Sequence, residues 1–333
     1  MSRLRLTVLA ALVALAVNAA GAVAAPLVAI DPGHGGADSG AAGTLPPGTQ
    51  TGLPARIDPD GQTRIYEKDV TLDIAQRLNA YLQGRGFPTV MTRTTDLAGG
   101  DVPFTTVGAD LRARVDIANN AGARLFVSIH ENALSATAAG TETYHFYYSS
   151  PGARALAVLV HQQVLAALGL PDRGVKTAGF YVLKNTRMPA ILVEGAFMSN
   201  PSEALLLADP AVRQRLAEAI GTGVGQYTAA GYDALYGQQQ NLKPRYQVNA
   251  GAFRRLGDAR ARYRLVRRRG FEAAIRSEYN KPTRKYLFYV VSGKFVYVEN
   301  ARELRDRLRR KRIKANVGSI PKRSRPVPAA APR

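Results

Sequence analysis

The stretch VAIDPGHGG, residues 28–36, places one histidine, His34, among glycines just after a short apolar run. Val28, Ala29 and Ile30 read as a buried strand, and Asp31-Pro32-Gly33 breaks it. Glycines let the backbone pass close to another group with no side chain in the way. Taken alone, a histidine in such a setting is more often structural than a metal ligand. Its meaning depends on what the rest of the chain brings to it.

Outward from this strand, apolar runs alternate with helical patterns. YEKDVTLDIAQRLNAYLQGRG, residues 66–86, carries Val70, Leu72, Ile74, Ala75, Leu78 and Leu82 mostly on one helical face and stops at Gly84. TVMTR (89–93) reads as a strand, 111–123 as a helix, LFVSIH (125–130) as a buried strand and TETYHFYY (141–148) as an alternating one. A helix over 153–170, a strand FYVLK (180–184), a buried strand AILVEG (190–195) and a helix from Pro210 to Tyr227 follow. Residues 35–66 are Pro/Gly-rich and polar, and read as a long surface loop without the apolar pattern of an autoinhibitory helix. Continuous apolar strands between helices predict an α/β sheet covered on both faces.

Composition narrows the chemistry. The chain has 333 residues, 46% of them hydrophobic, and no cysteine. Disulfides, thiolate metal sites and cysteine nucleophiles are excluded, so any metal must be held by His, Asp and Glu. Charge divides the chain: residues 1–234 hold 18 Lys+Arg and 19 Asp+Glu, residues 235–333 hold 27 and 6, for nets of −1 and +21. The change falls at YGQQQNLKP, 236–244, which reads as a linker. Residues 1–25 show Arg3 and Arg5, an apolar run, then Ala22, Ala24 and Ala25, the order of a cleaved secretory signal. The expected organisation is a signal over 1–25, a first domain over 26–230, a linker over 231–244, a basic domain over 245–318 and a disordered basic, Pro-rich tail over 319–333.

Within the first domain His34 gains company. His130 ends the strand LFVSIH, Glu194 ends AILVEG, and Glu67 opens the first long helix. Sites in α/β sheets collect at the carboxyl ends of strands. Two histidines and one glutamate make a catalytic zinc set with a position left for water, and a second carboxylate can take that water's proton. The other two histidines, His145 and His161, read as structural. Arg93 and Arg114 read as structural ion-pair partners for Asp96 and Asp116, or as partners for substrate carboxylates. Asn200 caps the next helix with Pro201 at its first position.

DPGHGG, YEKDVTLDIAQRL, SIH followed by ENA, and LVEGAFMSNPSEALLL, taken in order, resemble the zinc-dependent N-acetylmuramoyl-L-alanine amidases of the Amidase_3 type over about residues 27–229. The resemblance implies His34, Glu67 and His130 as Zn2+ ligands and Glu194 as catalytic acid/base. It implies a mixed six-stranded sheet flanked by helices, and cleavage of the amide between the lactyl group of muramic acid and L-alanine of the peptidoglycan stem. Glu131 departs from the alanine common at its position. It reads as a surface or supporting group whose side chain points away from that of His130 on a continuing strand.

The basic domain repeats itself at an offset of 42: Gly251/Gly293, Phe253/Phe295, Ala259/Ala301, Arg260/Arg302, Arg267/Arg309, Arg268/Arg310 and Ala273/Ala315 match. Each half reads as strand, helix, strand, which gives a small α+β βαββαβ unit, a four-stranded sheet with two helices on one face. With YQVNAGAF as its opening strand, residues 245–318 resemble a SPOR domain. That resemblance implies binding to glycan strands stripped of stem peptides, as found at division septa. It leaves room for division-site protein partners and fixes no oligomeric state. A nucleic-acid-binding reading rests on the charge and on an aromatic sheet (Tyr246, Phe288, Tyr289, Tyr297), and the secretory signal argues for no nucleic-acid partner. The expected protein is a periplasmic or envelope peptidoglycan amidase. The alternatives are another zinc-dependent wall hydrolase, an endopeptidase or deacetylase, or a non-catalytic wall-binding protein.

Overall fold

A computed structural model describes residues 24–57, 59, 61–231, 244–280, 285–295, 298–320 and 325–327. The expected signal over 1–25 lies almost wholly outside the described residues, as do most of the linker and most of the tail.

The central sheet has six strands in the order β5-β1-β6-β9-β7-β8. They are β1 (Val28–Pro32), β5 (Thr89–Met91), β6 (Leu125–Asn132), β7 (Thr141–Phe146), β8 (Asp172–Ala178) and β9 (Ala190–Phe197). β5, β1, β6 and β9 run parallel, β7 is antiparallel to β9, and β8 is parallel to β7. The sheet is therefore mixed, as the family resemblance implies.

Both faces are covered, and this is why the central strands are apolar throughout. On one face Ile30, Val127, Ile129, Ile191 and Val193 pack under α1 (Glu67–Gln83), α3 (Pro151–Leu168) and α6 (Pro210–Ala229). On the other, Ala29, Phe126, Ala190 and Leu192 pack against α2 (Val107–Asn120) and α4 (Tyr181–Asn185). α5 (Pro201–Ala208) is capped by Asn200, whose side chain accepts from Ser202 and Glu203 N–H, with Pro201 in the first turn.

Two expectations fail in this domain. FYVLK is not a strand: Tyr181–Asn185 forms α4, and the edge strand is the preceding DRGVKTA, β8. A short apolar run does not separate strand from helix, and β8 lacks an apolar run because it is an edge strand, half-exposed along its length. Residues 35–66 are not a bare loop either. They fold into a three-stranded antiparallel sheet of β2 (Ala42–Leu45), β3 (Arg56–Ile57) and β4 (Thr63–Tyr66), order β2-β4-β3, with Leu45 and Ile65 buried in the main core.

The basic region forms a five-stranded antiparallel sheet, order β13-β10-β12-β11-β14, not the expected four. Its strands are β10 (Tyr246–Phe253), β11 (Ala274–Asn280), β12 (Lys285–Phe295), β13 (Asn316–Ser319) and β14 (Arg325–Val327). The extra strand comes from the expected disordered tail, where Pro326 pairs opposite Arg276 on the sheet edge. Helices α7 (Leu256–Arg268) and α8 (Val298–Arg310) bury Ala259, Val266, Ala301, Leu304 and Leu308 against Val248, Ala250, Ile275 and Val290, all on one face. The region meets the central sheet where Arg307 donates to Tyr148 Oη (2.9 Å) and Asn300 to the Ser149 carbonyl (2.6 Å), beyond the end of β7 remote from Glu142.

Candidate metal centre

The loop after β1 is built so that His34 can face two other groups. His34 itself adopts φ 61°, a left-handed conformation uncommon for a residue with a Cβ. Three buried cations hold the loop by its carbonyls. Arg93 donates to Pro32 O (3.1 Å) and Gly33 O (2.8 Å), Lys68 to Gly36 O (2.9 Å), and Arg114 to both Pro32 O and His34 O. The glycines answer the question raised by the sequence. A Cβ on Gly33 would stand 2.4 Å from the His130 ring, and one on Gly40 (φ 63°) would stand 2.6 Å from both Glu67 Oε2 and the His34 ring.

Glu67 is delivered by the small sheet. β4 leads directly into α1, and the Glu67 N–H donates to Ala41 O (2.8 Å) while Glu67 Oε2 accepts from Ala41 N–H (2.9 Å). Its other oxygen lies 3.1 Å from His34 Nε2, 3.0 Å from His130 Nδ1 and 3.1 Å from the Glu131 N–H. The excursion over 35–66 thus positions a site carboxylate. Burial acts to raise the Glu67 pKa, but its contacts with His130 and His34 outweigh that and hold it well below the usual carboxylate range. Burial acts to lower the His34 pKa, and Glu67 and Asp38 (Oδ2 3.0 Å from Nδ1) reverse this and raise it.

Donor atoms of His34, Glu67 and His130 all lie within 4.8 Å of one another. Two imidazole nitrogens and a carboxylate oxygen, with no sulfur, are a donor set for zinc. Metal–ligand bonds of ~2.1 Å at tetrahedral angles require neighbouring ligands to be about 3.4 Å apart. The 3.0 and 3.1 Å N···O separations are within a few tenths of an ångström of that spacing. The residues present fit the ion.

Glu194 sits opposite His130 in the parallel β6–β9 pairing. Its Oε2 is buried without a hydrogen-bond partner among the described residues, and burial first, then the Glu67 and Glu142 charges, raise its pKa well above normal. Glu131 is buried rather than on the surface. Its Oε2 accepts from Ala196 N–H at 2.7 Å, and burial drives its pKa up.

The remaining sequence expectations resolve as follows. His161 ties α3 to the sheet through Thr143 Oγ1 (3.1 Å) and Asp172 (2.9 Å), and His145 bonds Phe146 O (3.0 Å) and Ser149 Oγ (2.9 Å). Both are structural. Arg114 pairs with Asp31 (2.9 Å) and Asp110 (2.8 Å) rather than Asp116, and Asp96 pairs with Lys68 (2.8 Å) rather than Arg93. Arg93 is engaged by backbone carbonyls. Burial, then the nearby Arg114 charge, brings its pKa down to about 10.

The sequence reading missed Glu142, Arg173 and Lys176. Glu142 is buried, accepts from Tyr144 Oη (3.1 Å), Arg173 Nε (3.2 Å), Asn132 Nδ2 and Lys176 Nζ, and lies directly opposite Glu194 across β7 and β9. Its signal was a glutamate in an alternating strand, on the same face as Tyr144.

Fold and site together define an α/β domain with a strand-end His/Glu/His centre and a neighbouring carboxylate. The N-acetylmuramoyl-L-alanine amidase family model (Amidase_3) matches residues 28–226, and a SPOR domain model matches residues 242–321. The amidase LytC of Bacillus subtilis (strain 168) is 38% identical over 200 residues, 60% of this chain, which spans about a third (34%) of that protein. The germination-specific N-acetylmuramoyl-L-alanine amidase of the same organism is 34% identical over 211 residues, covering 60% of this chain and 79% of that protein. Among solved structures, an N-acetylmuramoyl-L-alanine amidase from Clostridium difficile 630 superposes with a TM-score of 0.52 at 32% identity, over 62% of this chain and 98% of the other. This chain belongs to the N-acetylmuramoyl-L-alanine amidase family and carries a C-terminal SPOR domain.

Proposed function

We propose that residues 26–230 are a zinc-dependent amidase domain that hydrolyses the amide between the lactyl group of muramic acid and L-alanine in peptidoglycan. The observation that carries this reading is the convergence of His34, Glu67 and His130 beside Glu194. His34, Glu67 and His130 hold the ion, which when bound supplies Lewis-acid polarisation and lowers the pKa of a coordinated water. Glu194 accepts the proton of the attacking water and returns it to the leaving alanine nitrogen. Burial raises its pKa and makes it a stronger proton acceptor than an ordinary carboxylate, which suits a group that must both take and give a proton. Arg93, Arg114 and Lys68 fix the His34 loop so that the ligand geometry exists before metal arrives.

The second part of the proposal concerns place. A signal over 1–25 carries the protein out of the cytoplasm. A linker over 231–244 joins the amidase to a SPOR domain over 245–318, followed by the tail at 319–333. That domain binds denuded glycan strands and brings the enzyme to the division septum. Its helix-free sheet face supports this role. Phe288 and Val290 pack under the helices, so Leu287 and Tyr289 point the other way, partly exposed beside Asn249, while Gln247 and Val291 on the same face are buried. Of the aromatic residues on which a nucleic-acid reading rests, Tyr246 and Phe288 also pack against the helix-side core, and Tyr297 lies outside the described residues.

The test is a digest of purified peptidoglycan with the zinc-loaded chain. New free L-alanine amino termini, with freed lactyl carboxyls, are expected. New amino ends elsewhere in the stem would identify an endopeptidase, and free glucosamine amines a deacetylase.

A further inference from the structure

The site extends beyond its metal ligands as a row across the sheet. His130 on β6 pairs with Glu194 on β9, and Glu194 pairs with Glu142 on β7. On β8 the register with β7 slips between Thr141↔Asp172 and Thr143↔Val175, so Arg173 and Gly174 together oppose the single residue Glu142. This is a β-bulge, with Gly174 at φ 84°. Bulges next to active sites re-aim a side chain, and this one turns Arg173 onto Glu142. Lys176, in register with Tyr144, reaches the same Glu142 oxygen.

In the cluster around Glu142 the charges do not cancel. Glu142 brings one negative charge, and Arg173 and Lys176 bring two positive ones. Glu142 is sealed in, with its side chain 4% exposed, whereas Arg173 and Lys176 are 32% and 36% exposed. Arg173 is braced over the Phe197 ring at 4.8 Å and Lys176 lies 5.9 Å from the Tyr144 ring centre. Arg173 uses Nε for Glu142 and Nη1 for Ala139 O, and its Nη2 bonds no described residue. The arrangement is a fixed, partly exposed cationic pair with donors facing solvent, one unit of charge in excess of its buried counter-ion.

Strands lie about 4.8 Å apart, so two steps from Glu194 to β8 span about 10 Å, or roughly three extended residues. Arg173 and Lys176 reach back along that line to Glu142.

We propose that Arg173 and Lys176 form an anion subsite that binds a free carboxylate on the stem peptide, within the first three residues beyond the scissile amide. Glu142 is its buried anchor, holding both cations in one orientation. The inference rests on the amidase reading and names a determinant of which stems that site accepts. A charge-assisted hydrogen bond of this kind gives about a tenfold or greater preference in KM.

The test uses the full zinc-loaded chain and two synthetic muramyl tripeptides, one with its stem carboxylates free and one with them amidated. The free acid is expected to show a KM at least about tenfold lower, with the advantage shrinking as salt is raised. In Lys176→Gln, Arg173 still pairs with Glu142 but the excess charge is gone, and the preference should fall to near one. Lys176→Arg should restore it. Equal KM values for the two tripeptides on the unmodified chain, or a preference untouched by Lys176→Gln in a folded protein, would overturn the subsite. Hydrolysis of neither tripeptide would instead overturn the amidase reading on which it stands.

Discussion

Glu194 stands directly beside His130 in the parallel pairing of β6 and β9, so the proposed base and a proposed ligand occupy neighbouring positions at the same strand ends. Glu194→Gln keeps the shape and removes the proton acceptor. It should retain stoichiometric zinc and lose at least about a hundredfold in kcat. Near-normal turnover with metal intact would move the base elsewhere, to Glu131 first.

The metal assignment is checked by content rather than by activity. Elemental analysis should find one zinc per chain, and His34→Ala should lose it. Chelation should also lower the thermal midpoint, since zinc at a hundredfold above its Kd stabilises the folded state by about 2.7 kcal/mol. Full zinc occupancy in His34→Ala would exclude this ligand set.

Arg93 tests whether the loop is held by its carbonyls. The buried guanidinium reaches Pro32, Gly33, Lys68 and Thr95 oxygens at once. A lysine cannot span them, and the orphaned carbonyls should cost Arg93→Lys on the order of 3 kcal/mol in denaturant unfolding. Zinc affinity, measured by competition with a chelator, should fall about 10- to 100-fold in the fraction that stays folded. Unchanged affinity would make Arg93 a purely structural residue.

How much of this was legible beforehand depends on where each residue sits. His130 and Glu194 each close an apolar run and His34 follows one after the Asp31-Pro32-Gly33 break, so the sequence marked them as strand-end groups. Glu67 opens a helix with a clear apolar face. Arg173 and Lys176 lie on an edge strand whose residues are all at least partly exposed, so no apolar run announced β8, while the apolar FYVLK drew the strand to the wrong place. The two- to four-residue strands between 42 and 66 carry no period long enough to read, and only the burial of Leu45 and Ile65 reveals them. In the basic domain the 42-residue repeat disclosed four strands. The fifth has no counterpart in the repeat, and its Pro326 reads as a breaker.

Asp31 links the loop to acid stability. It is buried, and although burial acts to raise its pKa, Arg114, Ser128 and Thr92 outweigh this and lower it below 3.8. A carboxylate with a depressed folded-state pKa contributes stability above its unfolded value, and that contribution is lost as pH falls through the folded one. Asp31→Asn should therefore cost about 3 kcal/mol at pH 7, where it leaves a buried arginine short of a partner. The gap from the unmodified chain should hold down to about pH 4 and close below it. A gap that persists unchanged below pH 3 would separate Asp31 from the acid transition.

The SPOR domain's open face gives the last prediction. Tyr289 lies on the helix-free side, opposite Arg276 on β11, with partly exposed Asn249 on the same face. Full-length Glu194→Gln chain, unable to digest its target, would be incubated with intact sacculi, amidase-stripped sacculi and DNA at low and high salt. Recognition of denuded glycan requires stripped sacculi to bind best and to survive salt, while DNA binding fades. Adding Tyr289→Ala should weaken the stripped-sacculus interaction on the order of five- to tenfold, because an aromatic platform for a sugar ring is lost while the arginines remain. Equal binding to intact and stripped sacculi, abolished by salt and indifferent to Tyr289, would reduce the domain to a cationic tether driven by its net charge alone.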